Sequence, residues 1–275
     1  MAFVHRERVG SPFRPSRAKW LRGFAQQLPA IAFLGLLLLL WQSLSWLWGL
    51  ELWLLPSPLR IVTDGIYAWR NLGLARHTLQ TLQEAVLGFL LAVASGLVLA
   101  LLVDWSEFLR RVIYPLLVVS QTIPIIAIAP LLVLWLGYGI RPKVFVVALV
   151  CFFPIVISTT DGLRAADPEW IALLRSMGAS RWQVFTKVRF PAALPSFFSG
   201  LKVAITYAVI GAVIGEWVGG SAGLAIFMRR AHNAMQFGQE FAGIAVVSLL
   251  SIVLFLLVAA LERAALPWYF APRER

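Results

Sequence analysis

Five stretches of this 275-residue sequence contain no Asp, Glu, Lys or Arg: residues 23–50, 85–103, 112–140, 144–160 and 241–261. A helix needs roughly 17–25 predominantly apolar residues to cross about 30 Å of hydrocarbon. Each stretch is therefore expected to span a membrane. A sixth span is expected over 198–218, where Lys202 and Glu216 stand 14 positions apart. On a helix that separation is roughly 21 Å, so the two charges approach opposite interfaces, with Lys202 snorkelling. Composition agrees: 60% of residues are hydrophobic and 13% charged, against about 45–50% and 25% in soluble domains. Too little polar surface remains for a water-soluble globule, and disorder, a coiled coil and a secreted disulfide scaffold are excluded. The single cysteine, Cys151, forbids an intramolecular disulfide. His5, His77 and His232 are scattered and show no metal-ligand spacing.

The fold class expected is an all-α polytopic membrane protein with six transmembrane helices, at approximately 29–50, 79–103, 112–136, 143–160, 198–218 and 241–261. These lie in a membrane domain 29–268, between a basic tail 1–28 and a short tail 269–275. The apolar run from Pro29 to Leu50 is too long for a signal-peptide core, and no Ala-x-Ala site follows it. It reads as a retained helix with Trp41, Trp46, Trp48 and Trp53 as interfacial anchors.

The net charge of +11 would suggest nucleic acid in a soluble protein, but here cations accumulate in cytoplasmic loops. With six spans, 17 of the 24 Lys and Arg residues fall on the side of the N-terminus. Both termini and the long connection 161–197 are then cytoplasmic, and the segments 51–77 and 219–240 external. The first of these opens on the turn-prone Leu55-Pro56-Ser57-Pro58. The second begins with the turn Gly219–Gly223 and is expected to continue as a short helix.

The connection 161–197 is unusually well specified. Asp167 is a helix cap, with Pro168 at the first helical position and Glu169 in the first turn. The helix should run to about Met177, with Gly178 as a left-handed stop. Ser180 and Gln183 form a capping box for a second short helix through Trp182, Phe185 and Val188, stopped by Pro191. Two short helices at an angle result. On the residues alone they are either an interfacial elbow capping the bundle or a docking surface.

Residues Ala172-Leu173-Leu174-Arg175-Ser176-Met177-Gly178, nine further residues, and Val188-Arg189-Phe190-Pro191 resemble the cytoplasmic-loop signature of ABC importer permeases: Glu-Ala-Ala, three residues, Gly, nine residues, Ile-x-Leu-Pro. Ala172, Leu173 and Leu174 depart from Glu-Ala-Ala, and Glu169, three positions earlier on the same helical face, is the candidate replacement for the missing glutamate. Ser120-Gln121-Thr122-Ile123-Pro124, Ala129-Pro130-Leu131, Gly215-Glu216-Trp217 and Gly219–Leu224 look like the nitrate/sulfonate/taurine subfamily, its nearest branch being thiamine-pyrimidine-precursor permeases. The resemblance covers nearly the whole chain. It implies an inner-membrane permease dimer, two cytoplasmic ATPase subunits and an external substrate-binding protein that does most of the selecting. It also implies a coupling elbow at Glu169, Ala172, Arg175, Met177, Gly178, Ala179 and Ser180. The sequence has no G-x-x-x-x-G-K-[ST] phosphate loop, so the expectation is a non-enzymatic transport subunit without a cofactor of its own, ATP and Mg being bound by the partner ATPase.

Pathway candidates come from polarity inside the spans. Pro124 and Pro130 each free a backbone carbonyl, and Gln121 and Thr122 lie one turn earlier. This is either a kinked helix lining a wet pathway or a kink satisfied by neighbouring helices. Tyr207 is a pathway residue or a packing residue. Glu216, read as the only carboxylate near a span interior, belongs to an outer gate or a structural ion pair. Gly211 and Gly215 mark a dimer contact or a tight internal crossing. The alternative function is a self-sufficient secondary transporter, which would call for inverted repeats and coupling-ion ligands at mid-membrane. No internal repeat is apparent. A membrane enzyme would need a His, Asp or Glu cluster at a membrane face, which the sequence lacks.

Overall fold

The computed structural model describes residues 17–47 and 55–270. The segments 1–16, 48–54 and 271–275, and with the second of them Trp48 and Trp53, lie outside the described residues. The described chain is helical: α1 (Arg17–Leu47), α2 (Pro58–Asn71), α3 (Leu74–Trp105), α4 (Glu107–Ser120), α5 (Ile125–Leu136), α6 (Ile140–Arg164), α7 (Pro168–Ser176), α8 (Arg181–Val184), α9 (Phe190–Gly219), α10 (Leu224–Asn233), α11 (Phe237–Ala265) and α12 (Pro267–Phe270). It divides into two units, residues 1–59 and 60–275.

In the first unit α1 begins inside the segment expected to be a tail. Its leucines are exposed all along the apolar run, and Trp46 near its end is 83% exposed, as befits a helix whose solvent is lipid. The Gln42 side chain accepts a hydrogen bond from the Leu59 amide at 3.2 Å.

The second unit is built on α3, α6 and α9. Small residues line their contacts, because without a hydrophobic drive between helices in lipid, association depends on close backbone approach. The buried stripe of α3 runs Ala85, Gly88, Ala92, Gly96, Ala100, and that of α9 runs Ala204, Ala208, Ala212. A Cβ on Gly88 would overlap Val147, and one on Gly211 or Gly215 would come within 3.2 Å of Val147 Cα or 3.0 Å of Lys143 Cα. Gly211 and Gly215 therefore serve a tight α6–α9 crossing inside the chain. Larger residues such as Leu90, Leu249 and Leu256 point outward and are exposed.

Two expectations are corrected. The third span is not one kinked helix over 112–136: α4 and α5 meet at 100°. Pro124 sits in extended backbone at the start of α5, with φ −67° and ψ 117°, because its ring clashes with a helical preceding turn. Among the described residues five single helices are long and apolar enough to span, and counting the bent pair as one gives six. The fifth span does not start at 198, and Pro191 does not end the second elbow helix. After α8 a π-helical turn, Phe185–Arg189, is closed by the Phe190 amide on the Phe185 carbonyl. That wider turn resets the register so that Pro191 falls in the first turn of α9, where a missing donor costs nothing. Helix runs on from the elbow through the span.

Candidate coupling elbow and membrane-embedded polar sites

The elbow forms as its sequence specifies. The Asp167 carboxylate accepts the Glu169 amide at 2.8 Å. At the end of α7, Gly178 adopts φ 81° and its amide reaches the Arg175 carbonyl, while the Ala179 amide reaches Leu174 at 3.0 Å. The capping box is complete: Gln183 accepts from the Ser180 amide at 2.7 Å and its own amide donates to Ser180 Oγ at 3.3 Å. No residue of α7 is buried. Glu169, Ala172, Arg175, Met177, Gly178 and Ser180 are exposed and Ala179 is half-buried. Trp170, Leu173, Met177 and Trp182 make an exposed apolar surface, Met177 at 74%.

Behind this surface Arg189, the last residue of the π turn, holds three helices together. Its guanidinium donates to both oxygens of Asp104 on α3 at 2.7 and 2.9 Å, and to the Leu163 carbonyl of α6 at 3.2 Å. The motif position that the sequence comparison treats as variable is thus the one that anchors the elbow to the bundle.

At the opposite ends of α3, α6 and α9 lies a second polar assembly. Lys143 donates to Glu84 Oε1 at 2.7 Å, and Gln80 donates to the same oxygen at 2.7 Å. Glu216 is fully buried and accepts from Thr81 Oγ at 2.5 Å and from the Ala225 amide at 2.7 Å. Thr81 accepts the Leu224 amide at 2.9 Å, and His77 Nδ1 accepts the Gly223 amide at 2.9 Å. Three successive amides at the start of α10 are therefore satisfied from α3 and α9, and Glu216 puts negative charge at that helix's positive end. Gly223, at φ 120°, has to be glycine because a Cβ there would overlap the Glu216 carboxylate. Glu216 is accordingly not the only carboxylate inside a span: Glu84 is equally buried. The signal was in the sequence, since Glu84 and Lys143 border charge-free runs that the helices extend beyond at both ends. Lys202 is paired with Glu262 of α11 at 2.7 Å.

The remaining pathway candidates separate. A cavity of about 360 Å³ lies at the α4–α5 break and brings Gln121 and Tyr207 together with Ser120, Ile128, Phe153 and Pro154. Thr122 and Pro124 belong to the same break without lining the cavity; the Thr122 hydroxyl is turned back onto the Val119 carbonyl at 2.7 Å. Pro130 lies inside α5, and neither it nor Glu216 reaches this cavity.

The family model described as binding-protein-dependent transport system inner membrane component matches residues 86–267, from α3 to the end of the last span. The chain belongs to this family. The formylaminopyrimidine transport permease protein ThiX of Halalkalibacterium halodurans is 41% identical over 88% of this chain and 96% of its own. The riboflavin transport system permease protein RibX of Chloroflexus aurantiacus is 37% identical over 86% of this chain and 88% of its own. Permeases named for sulfonate, taurine and nitrate import match as well, as the resemblance to that subfamily implied. A chain of the MetNI methionine ABC transporter, solved in inward-facing conformations, superposes with a TM-score of 0.61 at 18% identity, covering 70% of this chain and 95% of that one; the two share a fold. The protein is an ABC importer permease subunit of binding-protein-dependent transport and a multi-pass membrane protein.

Proposed function

We propose that the permease works as a two-fold pair of identical chains in a bacterial inner membrane, with both termini and the elbow in the cytoplasm. Two ATPase subunits bind ATP and Mg and dock on the elbows. A binding protein outside delivers a small solute to the opposite end, near α10 and the Gly219–Gly223 turn. ATP binding closes the ATPase pair and swings the elbows, and the helices alternate between inward-open and outward-open arrangements. The solute is a thiamine-pyrimidine precursor or a sulfonate- or nitrate-like molecule, and Gln121, Thr122, Pro124, Pro130 and Tyr207 frame its route, with Glu216 setting the outer turn.

The observation that carries this reading is the elbow. It is capped at both helices, apolar and exposed on its outer side, and tied by Arg189 to α3 and α6 on its inner side. A cap that merely covered the bundle would bury its own apolar residues against it. Glu169, on the exposed face of α7, takes the place of the missing motif glutamate. The charged groups inside the spans favour ATP over an ion gradient as the energy source: Lys143 and Lys202 are paired, and Glu216 caps a helix. Co-expression with the ATPase subunit tests the docking. The permease should retain the ATPase through purification, and Met177→Asp should release it while the permease stays folded. Retention by Met177→Asp and also by Trp170→Asp would place the docking surface elsewhere.

A further inference from the structure

We infer that the cavity at the α4–α5 break is a transient substrate site for an uncharged, flat nitrogen heterocycle, and that it discriminates against anions such as sulfonates and nitrate. This deepens the import reading above and rests on it. Three observations carry it.

The first is the wall. The residues that line the cavity include no Lys, Arg, His, Asp or Glu. An anion entering a low-dielectric span without a cation to meet it faces a large desolvation cost. The nearby intramembrane cations are engaged, Lys202 by Glu262 and Lys143 by Glu84. The second is the pair of polar groups. Among the described residues neither the Gln121 carboxamide nor the Tyr207 hydroxyl has a hydrogen-bond partner, whereas the third polar side chain, Ser120, is closed on the Leu117 carbonyl at 2.8 Å. Both residues are exposed in the single chain, Tyr207 at 46%, so within the spans these groups are left for water, a solute or the second chain to satisfy. A carboxamide presents a donor and an acceptor side by side, and a phenol can do either. Together they match the alternating donors and acceptors on the edge of an aminopyrimidine or a flavin-like ring, and offer no charge to a sulfonate. The third is shape. Phe153 and Tyr207 supply aromatic surface, Ile123, Ile125 and Ile128 supply apolar wall, and the volume of about 360 Å³ falls in the range of roughly 300–1,000 Å³ usual for small-molecule sites.

The 100° break explains why the site exists at all. It takes α5 away from the axis of α4, opening space against α6 and α9 that a continuous span would fill.

The test uses the whole importer, reconstituted in liposomes with ATPase and binding protein, and follows both ATP hydrolysis and uptake. The probes are formylaminopyrimidine and riboflavin as neutral rings, and ethanesulfonate and nitrate as anions. Each probe is presented by a binding protein that holds it, so that selection falls to the permease, and the wild-type complex is expected to take up at least one ring and neither anion. Gln121→Leu and Tyr207→Phe each remove one neutral hydrogen bond, so ring uptake should fall roughly three- to tenfold, while stimulation of ATP hydrolysis by the loaded binding protein persists. Uptake of an anion, or of none of the rings, overturns the substrate class. Unchanged ring uptake in both variants overturns the site, as does loss of ATPase stimulation in step with uptake, which would make the two residues structural. A wild-type complex whose ATP hydrolysis ignores every binding protein would instead count against the import reading on which this one rests.

Discussion

Buried charge decides what individual side chains do in this permease. Glu84 and Lys143 are each almost fully enclosed and joined at 2.7 Å. Removing one partner of such a pair leaves the other stranded in low dielectric, at about 3–5 kcal/mol, whereas replacing both by apolar groups is often neutral. Lys143→Met should therefore lower unfolding stability in detergent by that amount, and Lys143→Met with Glu84→Leu should recover most of it. A double variant as unstable as the single one would mean that Lys143 acts through something other than Glu84. Gly223 gives a second expectation. A methyl group there meets the Glu216 carboxylate, so Gly223→Ala should free the start of α10 and speed hydrogen exchange at the Leu224 and Ala225 amides. Unchanged protection at both would contradict the capping role. These pairings escaped a reading of the sequence because ion partners are set by helix register across 59 or more residues, which no local pattern encodes.

The elements themselves were largely readable, since their causes are local. Uncharged runs of 17 residues or more give spans, and the Asp167-Pro168 start, Gly178 stop and Ser180–Gln183 box of the elbow formed as their chemistry dictates. What local chemistry did not disclose was where helices break or continue. Both Pro124 and Pro191 remove a donor; the first sits at a 100° break and the second in a helix kept going by a π turn. Arg189 shows the same limit: its three hydrogen bonds reach residues 26 and 85 positions away. Charge-assisted bonds of this type contribute about 1.5–3 kcal/mol, and a lysine cannot reproduce the two-pronged geometry. A double-mutant cycle on Asp104→Ala and Arg189→Ala should return a coupling energy in that range. Strict additivity would show that the two helices are held by packing alone.

In the second unit, residues 60–275, three central helices are tied together at both ends, by Arg189 at the elbow and by the Glu84–Lys143 and Glu216 assembly at the other. Under the proposed function, a displacement of the elbow is carried along α3, α6 and α9 to the turn that precedes α10. The proposed function puts the two ends in different compartments. With single cysteines at Ser11, Ser180 and Ser221 in a Cys151→Ser background, an impermeant thiol reagent applied to intact cells should label position 221 alone. Labelling at position 180 would reverse the orientation.

The proposal that the elbow delivers the force of ATP to the membrane helices rests on the geometry around Gly178. Its left-handed backbone sets the angle between α7 and α8, and a β-branched residue there costs roughly 1–2 kcal/mol or changes the angle. The space around it is open, so Gly178→Val should leave the permease inserted and paired while the elbow no longer fits its partner. With the complex purified in lipid, ATP hydrolysis with and without liganded binding protein, together with uptake, reads the outcome. The permease's proposed role predicts that Gly178→Val loses both the stimulation and the uptake; wild-type values for both would show that force enters the membrane helices by another route.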